Sequence, residues 1–410
     1  MIQEKALEHM KSGRNVFLTG QPGTGKTYTI NQFINWCLDN GKEPKVTAST
    51  GIAAIHVGGS TIHSWCSVYN DNELSTEDVE DILDNTYTRD RIARTEILII
   101  DEISMVSAKL LNVVNVLSMA AKNSKEPFGG MQVICVGDFY QLPPVKGDFA
   151  FKAESWKMAD FQCCYLHEQY RQSEGAFIDI LTGVRAGVLS DEQKQMIRDR
   201  VVDDISGEEG VIRLDTHNAK VDRINSMKLD RLEGKVRVYK MDERGNEKAV
   251  KGLKANCLSP EKLFLKVGAP VLFTKNDPDK LFVNGTQGVV EELGEYSVKV
   301  RTQDDVLVEV GEMSWERAEG YGGNKNVIAM ISQIPLKLAW AITIHKSQGM
   351  TLDKAVIDVS DVFAEGQAYV AISRVRSLEG VFLQGKLTGK FLSVNDDVKN
   401  IDKAFMAEGM

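Results

Sequence analysis

The stretch from Gly20 to Thr27 contains every fixed position of the phosphate-binding spacing G-x-x-x-x-G-K-[ST]. Its glycines allow a tight turn in which successive backbone N–H groups point at phosphate oxygens. Lys26 is expected to reach the outer phosphates of a nucleoside triphosphate, and the Thr27 hydroxyl is expected to bind magnesium. A chance match is the alternative, but an apolar strand pattern precedes the loop and a helical pattern follows it, as this motif requires.

Two acids end the apolar run Ile97–Ile100, which predicts a strand that is buried on both faces. Asp101 is expected to hold the metal, and Glu102 is expected to polarise the attacking water. The alternative is a strand that ends in two solvated acids. The intact phosphate-binding loop in the same chain favours the catalytic interpretation.

The stretch from Gln132 to Val145 predicts a third strand that ends in a polar and aromatic loop. Gln141 is positioned to contact the terminal phosphate of ATP. Phe139 and Tyr140 offer aromatic rings on which DNA bases can stack. The alternative for both aromatic residues is packing in the core.

The pattern changes in the second half of the chain. Residues 235–312 are rich in strands and punctuated by glycine, and Asn284-Gly285 is a hairpin signal. This pattern predicts a small β-barrel, resembling a Src-homology barrel, inserted into a second α/β domain. The α/β pattern returns afterwards, with a strand at Lys354–Val359 and a helix at Gln367–Arg376.

Composition excludes several classes of protein. The chain has 410 residues, of which 43% are hydrophobic and 26% are charged, and its net charge is −9. This charge argues against coating DNA by bulk charge, but it allows a narrow basic channel. No apolar run approaches the ~20 residues of a membrane span. The six cysteines form no C-x-x-C pair, so neither a zinc site nor a disulfide framework is expected. Free cysteines predict that the protein resides in a reducing cytoplasm.

Seven blocks in order resemble the petite-integration-frequency helicases, which are related to RecD and phage Dda in superfamily one. Besides the phosphate-binding loop, they are Thr47–Ala54, Ile99–Met105, Pro127–Gln132, Gly137–Pro144, Ala341–Met350 and Ala368–Arg374. The resemblance implies two RecA-like P-loop NTPase domains, with ATP in the cleft between them. It also implies 5′-to-3′ translocation along single-stranded DNA, with ATP and Mg²⁺ as cofactors.

These expectations set domain boundaries. The first RecA-like domain is expected at 1–160, with a small insertion at about 64–92. The second is expected at 161–234 and 313–410, interrupted by the barrel at 235–312.

The resemblance also assigns the site residues. Gln3 matches the glutamine that reads adenine, and Arg171 and Arg374 match two arginines that reach across the cleft. The catalytic residues are then Lys26, Glu102, Gln141, Arg171 and Arg374, and the metal ligands are Thr27 and Asp101. The ATP-binding residues are Gln3, Gly20, Gln21, Pro22, Gly23, Thr24, Gly25, Lys26 and Thr27. The DNA-binding residues that the resemblance implies are Thr61, His63, Thr343, His345 and Lys346, and the stacking interpretation adds Phe139.

The expected partners are single-stranded DNA, junctions of single- and double-stranded DNA, and G-quadruplex DNA. The protein is expected to act on DNA as a monomer, and no membrane partner is expected. Two alternatives remain open from the residues alone. One is a P-loop ATPase that acts on protein, such as a clamp-loader-like switch. The other is a non-catalytic DNA-binding module with a relic nucleotide site, against which the intact Lys26, Asp101 and Glu102 argue.

Overall fold

A computed structural model describes residues 2–68, 74–170, 175–203, 210–279, 281–319, 326–360 and 364–408. Contacts divide the chain into two compact units. The first unit comprises Met1–Asp199, Val362–Ser377 and Leu387–Met410, and the second unit comprises Arg200–Asp361 and Leu378–Lys386.

Strands and helices are numbered in chain order. The strands are β1 Val16–Gly20, β2 Lys45–Ala48, β3 Ser60–Thr61, β4 Ile97–Asp101, β5 Gln132–Val136, β6 Gln162–Leu166, β7 Ile212–Asp215, β8 Arg237–Lys240, β9 Asp242–Gly245, β10 Lys262–Leu265, β11 Pro270–Phe273, β12 Gln287–Leu293, β13 Ser297–Thr302, β14 Leu307–Gly311, β15 Met313–Glu319, β16 Asn326–Gln333, β17 Leu336–Leu338, β18 Ala341–Thr343, β19 Ala355–Asp358 and β20 Val381–Gln384. The helices are α1 Gln3–Lys11, α2 Lys26–Asp39, α3 Gly51–His56, α4 Ile62–Cys66, α5 Thr76–Asp84, α6 Thr86–Arg94, α7 Ala108–Lys122, α8 Glu154–Met158, α9 Gly175–Ala186, α10 Asp191–Arg198, α11 Asn218–Arg231, α12 Glu247–Asn256, α13 Gln367–Ile372 and α14 Asp396–Glu408.

The first unit is built on one parallel sheet with the order β3-β2-β4-β5-β1-β6. Its central strands are buried because their side chains are apolar on both faces, as expected where helices cover a parallel sheet. One face packs on α1 and α2, with Phe33 of α2 fully buried against Ile99 and Ile134 of the sheet.

The first unit does not end where the sequence pattern predicts. Gln162–Leu166 pairs with β1 in the same sheet, so this sheet extends past residue 160. Helix α13 packs against α9, and α14 packs against β6, so both C-terminal helices belong to the first unit. These contacts are set by tertiary packing of apolar faces, which patterns along the chain do not predict.

The second unit contains a parallel sheet with the order β18-β7-β19-β20 and an antiparallel insert. The insert has a five-stranded sheet, β14-β13-β12-β11-β17, and a β8–β10 ribbon, which share one apolar core. A third sheet joins β15, β16 and β9. The antiparallel structure therefore continues beyond residue 312 to Leu338, because β17 pairs with β11.

Candidate functional site

The phosphate-binding loop connects β1 to α2, as its spacing predicts. Gly23 and Gly25 have φ values of +90° and +82°, a conformation that side chains disfavour. A Cβ atom at Gly25 would also collide with the Gln3 amide. The Lys26 ammonium donates to the carbonyl oxygens of Gly20, at 2.7 Å, and Gln21, at 3.0 Å. Lys26 therefore lies over the loop, where it can meet an anion.

Neighbouring elements hold the outside of this loop. The Gln3 amide donates to the Thr24 carbonyl at 3.2 Å, and the backbone N–H of Tyr170 donates to the Gly23 carbonyl at 2.9 Å. The Gln21 amide donates to the Thr182 hydroxyl of α9 at 3.0 Å. These contacts fix the loop backbone without occupying the N–H groups that would face phosphate.

Strand order brings the remaining chemistry to the loop. β5 lies between β1 and β4, and all three strands are parallel, so their carboxyl ends meet at one edge of the sheet. The loop after β1 leads to Thr27 in α2, β4 ends at Asp101 and is followed by Glu102, and Gln141 lies in the loop after β5. The Lys26 ammonium is close enough to Asp101 to favour its ionised form.

Asp101 and Glu102 are adjacent acids at the end of β4. The Glu102 N–H donates to Asp101 Oδ1 at 2.9 Å. Burial and the Glu102 carboxylate raise the pKa of Asp101 to about 7, against the attraction of Lys26. A cation at Asp101 would lower this pKa again.

The donor set fits magnesium bound together with a triphosphate. The Thr27 hydroxyl and the Asp101 carboxylate are hard oxygen ligands, and magnesium takes one or two carboxylates together with phosphate oxygens and water. In the part of the chain that the structure describes, no group of three or more His, Cys, Asp or Glu side chains could hold a metal. The Thr27 and Asp101 oxygens are the observation that fits Mg²⁺ bound with a nucleotide.

Glu102 has an unusual backbone conformation. Its φ of 51° and ψ of 48° lie in the left-handed region, which costs a non-glycine residue about 1–3 kcal/mol. The turn at Glu102 redirects the chain immediately after β4 ends. Such strain persists where the surrounding structure fixes it, and it is common at functional sites.

The two predicted arginines have different outcomes. Arg171 lies outside the described residues. Arg374 is 2% exposed, and its guanidinium donates to the Val370 carbonyl and the Ser373 hydroxyl, both at 2.9 Å. The expected helix ends at Ile372, so Arg374 and Arg376 follow it, and both belong to the first unit. This corrects the expected helix Gln367–Arg376. The turn after Ile372 buries Arg374 and exposes Arg376.

The predicted DNA-binding residues divide between the units. In the first unit, Thr61 caps α4 by accepting from the Ser64 N–H at 3.1 Å, and His63 lies in that helix. In the second unit, Thr343 is buried and accepts from the Lys346 N–H at 3.3 Å. His345 is half-buried, and burial lowers its pKa.

Phe139 is a correction. It is only 5% exposed and lies in a cluster of aromatic rings with Phe17, Phe151 and Trp156. The core interpretation is therefore the right one for Phe139, because a ring packed on all sides offers no face to a base. Tyr140 is also buried, with its ring 3.9 Å from the guanidinium carbon of Arg185.

A buried ionic cluster surrounds the start of the Gln141 loop. The Arg185 guanidinium donates to both carboxylate oxygens of Asp138, at 3.0 and 3.3 Å. It also donates to Asp402 of α14 at 3.4 Å. The Tyr369 hydroxyl of α13 donates to Asp138 Oδ2 at 3.2 Å. The Gln141 N–H in turn donates to the Asp138 carbonyl at 2.9 Å, so Asp138 links this loop to α9 and α13, and Arg185 extends the link to α14.

Residues 2–195 match the family described as PIF1-like helicase, and residues 250–293 match the family described as DNA helicase Pif1, 2B domain. The chain is 38% identical to the ATP-dependent DNA helicase Pif1 of Psychrobacter sp. (strain PRwf-1), over 94% of this chain and 68% of the relative. The crystal structure of Bacteroides sp Pif1 in complex with ADP-AlF4 matches with a TM-score of 0.88 at 32% identity, covering 99% of this chain and 97% of that one. Bacteroides Pif1 bound to ssDNA matches with a TM-score of 0.68 at 33% identity, covering 99% and 97%.

This chain belongs to the PIF1-like helicase family. The resemblance drawn from the motifs is therefore confirmed, and so is the α/β fold class with RecA-like domains. Among the described residues, no helix of this family member combines the length and the apolar character that a membrane span requires.

The ionic cluster is the part of this PIF1-like site that motif reading missed. Asp138 lies within a recognised block, but Arg185 is 47 residues away, and Asp402 is 217 residues from Arg185. No local spacing connects them. The one sequence signal for a buried ion pair is Arg185, which lies within a largely apolar helix. An arginine in such a helix is equally compatible with an exposed position.

Stability measurements should separate the contribution of Asp402 from that of Arg185. Burial raises the pKa of Asp402 despite its contact with Arg185, so the folded protein disfavours the ionised form. Asp402→Asn should therefore change the free energy of unfolding by less than about 1 kcal/mol at neutral pH. Arg185→Met leaves buried carboxylates without their cation and should cost about 3–5 kcal/mol.

Urea unfolding followed by tryptophan fluorescence checks both values. Lys157→Met is the matched control, because Lys157 pairs with Glu154 at the surface and should cost little. Equal losses in the Arg185 and Asp402 variants would contradict the assignment of the guanidinium as the centre of the cluster.

Proposed function

We propose that this chain, an ATP-dependent DNA helicase by its family, hydrolyses ATP at the sheet edge of the first unit. We propose that it uses this energy to move 5′ to 3′ along single-stranded DNA and to separate the duplex ahead. The observation that carries the proposal is the meeting of Lys26, Asp101 and Glu102 where β1 and β4 end. A cation, a metal ligand and a second carboxylate are the parts that phosphoryl transfer to water needs.

The loop would bind the triphosphate through its backbone N–H groups and through the N-terminus of α2. A phosphate offers Lys26 a full negative charge in place of the two carbonyl oxygens that it now contacts. Gln3, which touches the loop at Thr24, would lie beside the base. The remaining loop residues from Gly20 to Gly25 would form the cradle.

Thr27 and Asp101 would hold Mg²⁺, which supplies charge neutralisation on the outer phosphates when it is bound. Glu102 would orient and polarise the attacking water. Gln141 would contact the terminal phosphate, from a loop that the Asp138–Arg185 contact holds in place. Arg171 and Arg374 would stabilise charge that develops on the transferred phosphoryl group.

The DNA-contact residues under this proposal are Thr61 and His63 in the first unit and Thr343, His345 and Lys346 in the second. A helicase must hold any sequence, so phosphate contacts and base stacking should dominate its grip. The relative bound to ssDNA supports a single strand as the ligand. We extend the proposal to junctions of single- and double-stranded DNA, to G-quadruplex DNA and to action as a monomer.

The two acids should separate in a nucleotide-binding experiment. Glu102→Gln keeps the metal ligand and loses the group that orients water, so it should bind Mg²⁺-ATP like the parent. Its hydrolysis should fall by about 10²–10⁴-fold, the range for a lost acid–base group. Asp101→Asn should instead weaken Mg²⁺-dependent nucleotide binding. Fluorescent-nucleotide titration and single-turnover hydrolysis, both with DNA present, measure the two effects.

Lys26→Ala is the reference variant for this experiment and should lose hydrolysis with its melting temperature retained. Unchanged turnover in Lys26→Ala would overturn the nucleotide site. Identical nucleotide binding by the Asp101 and Glu102 variants would overturn the division of roles between the acids.

Arg374 should act on rate rather than on nucleotide binding. Removal of an arginine that stabilises the transition state lowers hydrolysis by roughly 10³–10⁵-fold, and Arg374→Ala should show a loss of this order. Arg374→Lys should not rescue the rate, because an ammonium lacks the planar donor fork. Exposed Arg376 provides the control, since Arg376→Ala should be mild.

Single-turnover hydrolysis and melting temperature are measured for all three arginine variants. The contacts of Arg374 with Val370 and Ser373 offer a competing structural role. A large fall in melting temperature with little change in rate would establish that structural role.

A further inference from the structure

Gln21 is a residue of the phosphate-binding loop whose contacts a bound phosphate would change. Its carbonyl accepts from the Lys26 ammonium at 3.0 Å, and the Gly20 carbonyl accepts from the same ammonium at 2.7 Å. A phosphate oxygen carries more negative charge than a carbonyl oxygen, so a nucleotide would draw the ammonium away from Gln21. The Gln21 carbonyl also accepts from the N–H and the hydroxyl of Thr24, at 3.3 and 2.8 Å. The loop can therefore release Lys26 without leaving this carbonyl unpaired.

The Gln21 side chain is joined to two segments outside the loop. Its amide N–H donates to the Thr182 hydroxyl of α9 at 3.0 Å, and its amide oxygen accepts from the Gln169 amide at 3.3 Å. The Thr182 hydroxyl donates its own proton to the Ile178 carbonyl at 2.9 Å, which leaves its lone pairs to accept from Gln21. A shift of Gln21 would therefore be transmitted to α9.

Helix α9 connects this contact to the core of the first unit. Its inward face is buried, and the apolar residues of that face are Phe177, Ile180, Leu181 and Val184. A close-packed interior has few voids that could absorb a displacement, so a shift of one turn of this helix moves the next turn as well. Arg185 follows Thr182 by three residues, which makes the two side chains neighbours on the helix surface.

Arg185 carries the connection from α9 to the Gln141 loop. Its guanidinium donates to both carboxylate oxygens of Asp138 and lies over the ring of Tyr140, 3.9 Å from the ring centroid. The Tyr140 N–H donates to Asp138 Oδ1 at 3.2 Å, and the Gln141 N–H donates to the Asp138 carbonyl at 2.9 Å. The backbone of this loop is therefore organised around a carboxylate whose position α9 sets.

We propose that Gln21 and Thr182 are positioning residues, and that α9 transmits phosphate binding at the phosphate-binding loop to the loop that carries Gln141. The inference rests on the proposed function and adds an order of events to it. A β-phosphate at the first loop prepares Gln141 to meet the γ-phosphate. The two side chains act through Gln141 and do not touch the reacting atoms.

The order of events follows from the contacts. Lys26 leaves the Gln21 carbonyl for the phosphate, and the Gln21 side chain shifts with its backbone. Helix α9 follows through the hydrogen bond to Thr182, and Arg185 moves the Gln141 loop with it. A ligand shifts an equilibrium between two arrangements only by the difference in its contacts with them, and here that difference is the exchange of partners by Lys26.

Mg²⁺-ADP tests this order because it has no γ-phosphate that Gln141 could contact. Hydrogen exchange of the full chain is followed by mass spectrometry, with and without saturating Mg²⁺-ADP. In the parent, ADP should slow exchange of residues 138–142 by about 5- to 150-fold more than it slows exchange of α7, the usual range for coupling between two sites. Helix α7 lies in the same unit and reports the general stabilisation that any bound ligand gives.

Thr182→Val keeps the shape of the side chain and removes the hydroxyl that accepts from Gln21. With saturating Mg²⁺-ADP, this variant should keep the slowed exchange of the phosphate-binding loop and lose the added slowing at residues 138–142. Its single-turnover hydrolysis of ATP should fall by roughly 2- to 13-fold, as for one neutral hydrogen bond, with ADP affinity unchanged. Gln21→Leu, which removes both side-chain hydrogen bonds, should lose the same slowing.

Two further variants show that Thr182 acts through Gln141. In a Gln141→Ala background, Thr182→Val should lower the hydrolysis rate no further, because the residue that it positions is already absent. Thr76→Val is the matched control. It makes the same chemical change at an exposed position of α5, so it should behave like the parent in exchange, ADP binding and hydrolysis.

The outcomes separate the inference from the proposed function. A parent chain that binds no Mg²⁺-ADP would overturn both. A parent that binds ADP without added slowing at residues 138–142, or with the same slowing in Thr182→Val, would overturn the coupling alone. Multiplied losses of rate in the Thr182→Val, Gln141→Ala double variant would overturn it as well. Faster exchange throughout α7 and α9 with a lower melting temperature in Thr182→Val would also overturn it, by giving that threonine a structural role.

Discussion

Parallel pairing of β4, β5 and β1 is the constraint on which the candidate site depends. Three segments far apart in the chain end at one edge because their strands run in one direction. The phosphate-binding loop, the two acids and the Gln141 loop all inherit their positions from this order. A strand reversed in this sheet would carry its polar residues to the opposite edge. Burial of apolar side chains on both faces makes the order robust.

The Asp138–Arg185 contact is the second determinant. A bidentate guanidinium–carboxylate pair is directional, so it fixes Asp138 near the start of the Gln141 loop. Tyr369 connects the same carboxylate to the helix that precedes Arg374. The Gln141 loop and the segment that carries Arg374 thus share a buried anchor. Moving charged groups out of water costs free energy, which offsets much of their mutual attraction. The role that we assign to this cluster is therefore to fix the positions of the segments that it joins.

Local spacing accounts for what the sequence predicts well. The loop Gly20–Thr27 and the acid pair are short patterns whose chemistry needs contiguous residues, and both lie where expected. Features set by tertiary packing were predicted poorly. The aromatic ring of Phe139 in a polar loop predicts a base-stacking residue. In the structure its neighbours are other aromatic rings from distant segments. The insert runs past residue 312 because β17 pairs with β11, a partner more than sixty residues earlier. Thr182 reads as an ordinary helix residue, and only the fold shows its hydroxyl against the phosphate-binding loop.

One strand-displacement experiment tests most directly whether ATP hydrolysis is coupled to directional strand separation. Duplexes with a 5′ tail or a 3′ tail of equal length and sequence are incubated with the chain, Mg²⁺ and ATP, and the released strand is quantified. We expect release from the 5′-tailed duplex, little from the 3′-tailed one, and none from either with Glu102→Gln. Equal release from both duplexes would contradict the direction of travel. Release by Glu102→Gln at the parent rate would contradict the coupling itself.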